Sequence, residues 1–188
     1  VDAVTLAPLP GALINGLDRT GAPLGEVAVS DDAGHYELLV SVPRLKDGEL
    51  DPEANYTLQG FARDYQPFPS GIRVALPISV AGAPYDEALA AFIIENPSTT
   101  VGLIQLPADQ RGGVTISGHV LGDAPVGTMV VAEGQEPAPY TVADSNGAYT
   151  LFNVRAGAPT LHGYRRGLEV EPLAVTVADA DLADVDLQ

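Results

Sequence analysis

The sequence predicts an all-β protein made of two tandem β-sandwiches, and three observations carry that prediction. Among 188 residues, 20 are Gly and 16 are Pro, so chain breakers recur too often for long helices. The stretches between them are rich in Val, Leu and Thr and alternate apolar with polar positions, the period of a half-buried strand. The third observation is an internal repeat: Val142 to Leu151 follows Val29 to Leu38, with Asp144 at Asp31, Gly147 at Gly34, Tyr149 at Tyr36 and Leu151 at Leu38.

Each element has a local reason. Ala12-Leu13-Ile14-Asn15-Gly16 and Val114-Thr115-Ile116-Ser117-Gly118-His119-Val120 alternate as strands and are expected to open the two copies, each before a Gly- and Pro-containing turn. The Asp31 and Asp144 segments read as hairpins: the Asp side chain caps the turn, Gly supplies a positive φ, and Tyr and Leu two apart share a face. Tyr56 to Phe61 then matches Pro159 to Tyr164, and Val101 to Leu106 echoes the closing Asp184 to Leu187. The expected division is residues 1–10 as an N-terminal linker, 11–107 as a first sandwich, 108–112 as a Gly-rich linker and 113–188 as a second.

The second copy is lean, with about seven short strands at sandwich-like spacing. The first is lengthened by two insertions. Pro43 to Ala54, with Lys46-Asp47-Gly48-Glu49, reads as a polar loop. Pro84 to Glu95 places Tyr85, Ala88, Leu89, Phe92 and Ile93 at helical spacing behind a Pro, which predicts one short amphipathic helix; the alternative is an added strand over Ala91-Phe92-Ile93-Ile94.

Composition excludes several functions. With 25 acidic against 9 basic residues the formal charge is -16, the wrong sign for nucleic acid or an anionic membrane surface. Cysteine is absent, so disulfides, thiolate catalysis and Cys-ligated metals are excluded. No apolar run approaches the roughly 18 residues that span a bilayer as a helix.

The order of elements, present twice, resembles carboxypeptidase regulatory-like domains of the transthyretin or prealbumin-like fold. The residues that carry it are the opening strand, the Gly-Ala-Pro turn at Gly21, the Asp-x-x-Gly-x-Tyr hairpins at Asp31 and Asp144, the Gly-containing strand ending in Phe61 or Tyr164, and the closing Val-x-Leu strand. The resemblance implies seven-stranded Greek-key β-sandwiches. It also implies non-catalytic, extracytoplasmic modules, secreted, periplasmic or on the cell surface of bacteria, that serve as spacers, stalks or adaptors for a protein partner.

Candidate chemistry is sparse. His35, His119 and His162 stand alone, and no nucleophile elbow, zinc helix or phosphate loop occurs, so no catalytic residue and no resident cofactor is assigned. Tyr164-Arg165-Arg166-Gly167 is only superficially similar to the tail motif of transthyretin-related hydrolases, because it is internal. Asp144-Ser145-Asn146-Gly147 starts like a calcium loop but lacks the later ligands. In the tail, Asp181, Asp184 and Asp186 form a carboxylate cluster suited to calcium, the alternative being a charged edge that discourages strand pairing. Tyr65, Phe68 and Tyr85 are the candidate partner-binding aromatics, and carbohydrate is the rival ligand, although Trp, the usual sugar platform, is absent.

Overall fold

The fold is given by a computed structural model that describes every residue except Pro52, Ala124 and Leu168. Twelve strands were assigned: β1 (Leu13–Leu17), β2 (Pro23–Val29), β3 (Asn55–Phe61), β4 (Ile78–Ser79), β5 (Tyr85–Asp86), β6 (Ala91–Phe92), β7 (Val114–His119), β8 (Met129–Glu133), β9 (Tyr140–Val142), β10 (Ala148–Val154), β11 (Thr160–Tyr164) and β12 (Leu173–Ala174). Among the described residues helix is limited to short 3-10 turns at Pro97–Thr99 and Ala108–Gln110. The protein is therefore all-β, and each named strand pair is antiparallel.

In the second unit one sheet runs β12-β11-β8-β9 and another pairs β10 with β7. Side chains alternate in and out along β7 and β10, as a two-faced strand requires. Ile116 and Leu151 from the β10-β7 sheet share one core with Val130, Ala132 and Leu161 from the other, a sandwich-like arrangement. The C-terminal segment runs parallel to β7, with Leu182 N–H donating to Thr115 O and Leu187 N–H to His119 O.

The first unit has the sheet β2-β1-β3-β4 over its own core of Ile14, Leu58, Val101 and Leu103. Its register reveals which elements correspond. Leu13 lies opposite both Val29 and Phe61, and Met129 lies opposite both Val142 and Tyr164. The backbone ladder continues alike past each: Ser30 N–H donates to Ala12 O where Ala143 N–H donates to Thr128 O.

Thus β1 is the counterpart of β8, and the expected pairing of Ala12–Gly16 with Val114–Gly118 is corrected. Both are short alternating strands containing Gly, and alternation alone does not say which neighbour a strand will find. The counterpart of β7 lies further upstream, in residues 1–3, which run parallel to 101–103: Ala3 N–H donates to Leu103 O and Leu103 N–H to Val1 O. Residues 1–10 are therefore part of the first unit and not a linker.

The helix expected over 84–95 is also replaced, by the strand alternative. β5 and β6 form a hairpin, Tyr85 opposite Phe92 with ring centroids 5.0 Å apart. Asp86 Oδ1 accepts the N–H groups of Ala88 and Leu89, closing the turn of the hairpin. Helices of this length are marginal without a core to cover them, and Leu89 is exposed. The Pro43–Ala54 loop is tightened by an Arg44–Leu50 bridge around Gly48.

Candidate functional site: the joint between the two units

The Asp31 and Asp144 segments form turns that are bonded alike, but the hairpins expected there are corrected: β9 and β10 join different sheets, and the chain just after Asp31 forms no strand among the described residues. Asp31 Oδ1 accepts the N–H groups of Ala33 and His35, and Asp144 Oδ1 those of Asn146 and Ala148. Their surroundings differ. The second turn reaches the first unit, where Ser145 N–H donates to Gly25 O and the Asn146 amide to Glu26.

That contact belongs to a wider joint. Phe61, at the end of β3, meets Tyr140 of β9 edge to face at 6.0 Å. Just beyond it, Arg63 holds Asp181 at 2.5 Å and also donates to the Thr115 hydroxyl. The Thr115 N–H, and after it Arg63, keep the Asp181 carboxyl below its ordinary range. Both side chains of the ion pair are about half exposed, so solvent screens it and its value lies in alignment more than stability. Asn153, in the left-handed region at φ 65°, accepts the Asp64 N–H at 2.6 Å and donates to Tyr65 O at 3.1 Å. Asp64 in turn caps Gly112 N–H, so the short segment expected as a free linker is tied to the first unit.

At the centre of the joint the outer face of the first sheet is covered by the β9–β10 side of the second unit. Between them lies a cavity of about 180 Å³, lined by Leu13, Asn15, Val27 and Phe61 on one side and by Val142 and Asp144 on the other. Asn15 is 4% exposed and Gln59, its cross-strand partner, 9%. Neither Asn15 Oδ1 nor Gln59 Oε1 has a hydrogen-bond partner.

The expected site residues are placed as follows. Asp181 is engaged at the joint, and Asp186 accepts the His119 N–H. Asp184 sits between them at a positive φ of 57°. Among the described residues no group of three or more His, Asp or Glu side chains could hold a metal. Tyr65 donates its hydroxyl to Asp2, and Phe68 packs on the first core beneath the Arg73 guanidinium. Neither is a free aromatic platform; Tyr85, 52% exposed, is one. His162 stacks on Tyr164 and approaches Glu133 at 3.5 Å, and His119 approaches Asp186 at 3.6 Å.

The chain matches no family model and no curated protein.

Sequence reasoning overlooked Asn15, Gln59, Asp64 and Asn153. Polar residues on alternate strand positions read as solvent-facing, and only the second unit's position shows otherwise. Among the described residues no helix is long and apolar enough to cross a membrane.

Proposed function

We propose that the chain is a non-catalytic, extracytoplasmic structural or interaction module, a spacer, stalk or adaptor made of two Greek-key, prealbumin-like units in series. The family part of this reading rests on the repeated order of elements in the sequence. The observation that carries the mechanical part is the joint: a spacer must transmit orientation, and side chains of Arg63, Asp64, Asn153 and Asp181 link one unit to the other. Residual dipolar couplings on the full chain test this. A single alignment tensor fitting both units is expected, and two independent tensors would sink the spacer reading.

A second reading, a carbohydrate- or small-ligand-binding protein that uses the insertions of the first unit, is favoured by the Tyr85–Phe92 ring pair on an exposed hairpin. Glycan-array binding that disappears on deletion of residues 83–96 would establish it, and an array without signal would retire it.

A further inference from the structure

The cavity at the joint is unlike the rest of the interface in what lines it. In the second unit, strand register places Val131 and His162 where the first unit has Asn15 and Gln59. The first unit's pair of amides is thus not demanded by the strand plan. Burying an amide oxygen without a donor is unfavourable, because its lost water is not replaced, and here two lie side by side on one face. A joint built only to be stiff is better served by apolar residues there.

The remaining chemistry of the walls narrows the ligand. Of the two orphaned acceptors, Asn15 Oδ1 belongs to the cavity lining, so the group missing there is a donor. Asp144 adds a carboxylate to the lining, with one oxygen spent on Asn146 and Ala148 N–H and the other without a protein donor. Leu13, Val27, Phe61 and Val142 supply apolar walls. The volume has room for about six waters' worth of atoms, below that of drug-sized ligand sites. Acceptors and a carboxylate among apolar walls, in a chain of charge -16, suit a compact cation with an alkyl body.

We propose that the cavity between the two units binds a small alkylammonium group, the shared chemistry of a free aliphatic amine and of the end of a lysine side chain. The ammonium donates to Asn15 Oδ1 and to the Asp144 carboxylate, and the alkyl part lies between Leu13, Phe61 and Val142. Occupying this space clamps the units together without any change in fold.

The probe is n-butylammonium added to the full chain and followed by amide chemical shifts, with n-butanol as the neutral control of similar shape. Saturable shifts confined to cavity-lining residues are expected, with n-butanol at least about ten-fold weaker, the equivalent of one charge-assisted contact. Asp144→Asn keeps the turn-capping oxygen but removes the charge, and is expected to weaken n-butylammonium by a similar factor. Asp179→Asn removes the same charge far from the cavity and is expected to leave binding unchanged. A second arm compares n-butylammonium with an acetylated, amidated lysine peptide: tighter peptide binding identifies a partner's lysine as the source, and tighter amine binding a free amine. Equal binding of n-butanol, equal loss in Asp179→Asn, or no saturable shift at all would overturn the proposal and leave the cavity as water-filled packing space.

Discussion

Asn153 and Asp64 belong to different units and meet at 2.6 Å, the Asn153 side-chain oxygen accepting the Asp64 N–H. Asn153 also takes a left-handed backbone conformation that most side chains avoid. One residue thus has two duties, and two substitutions separate them. Asn153→Ala loses the interunit bonds and strains the backbone, with an expected destabilisation of about 2–3 kcal/mol in urea. Asn153→Gly relieves the backbone strain, so it is expected to be about 1 kcal/mol milder while loosening the alignment of the units equally. Couplings that still fit one tensor in both variants would refute the assignment.

The two glycines once aligned by sequence are expected to behave oppositely. A Cβ on Gly118 would lie 1.9 Å from Val185 O, inside the pairing of β7 with the C-terminal segment. Gly118→Ala is therefore expected to destabilise the second unit by about 3 kcal/mol or more. A Cβ on Gly16 meets only the side-chain tips of Leu38 and Val40 at 3.1 Å, and the structural counterpart of Gly16 is Ala132. Gly16→Ala should change stability by less than about 1 kcal/mol. Thermal denaturation of the two variants side by side checks the contrast.

Burial pushes the Tyr36 hydroxyl, which donates to Thr99 O at 2.6 Å, up to about 12 from an ordinary 10.0. The folded state thus favours the protonated phenol. Its contribution is whole below pH 10.0, falls between there and about 12, and is gone above, because the unfolded chain releases its proton first. Burial raises Tyr149 as well, so tyrosinate absorbance should show late-titrating tyrosines with one fewer in Tyr36→Phe, and an unchanged late amplitude in that variant would contradict the packing.

The Asp181 carboxyl is held below its ordinary 3.8 by Thr115 N–H and then by Arg63. A depressed folded pKa means that the contribution is present above 3.8 and is lost as the pH falls below it. Acidification should therefore release the Arg63 side of the joint, and Asp181→Asn should mimic that release at neutral pH. Small-angle scattering that shows no broadening in either condition would remove Asp181 from the joint.

Ile72, in the turn closed by Ser70 and Arg73, is fully exposed, Val74 and Leu76 beyond it are exposed too, and the backbone of 74–76 makes no ladder hydrogen bond among the described residues. An open apolar edge of this kind invites strand addition. Val74→Lys is expected to slow self-association while shifting stability by no more than about 0.5 kcal/mol. Light scattering at high concentration reads the first effect, and an aggregation rate equal to wild type would show that the edge is inert.

What the sequence determined by itself was local. The Asp31 and Asp144 turns bond alike because Asp, Gly and their spacing close the turn within a few residues, but that spacing did not decide that the flanking strands would part into two sheets. The match of Phe61 to Tyr164 held for the same reason: both end strands whose alternation is set by a buried face. The all-β class followed from those signals.

What only the tertiary structure decided was which strand each element would find and what would cover each face. β1 took the place of β8 and residues 1–3 that of β7, because ladder pairing is a contact between distant segments and short alternating strands carry no address. Tyr85 to Phe92 became a hairpin because the apolar stripe a helix would bury found no core, Leu89 staying exposed, while Tyr85 and Phe92 paired across the turn. Asn15 and Gln59 carry no sign of burial in the sequence, yet they are buried, because burial of an outer sheet face depends on the second unit and not on the strand.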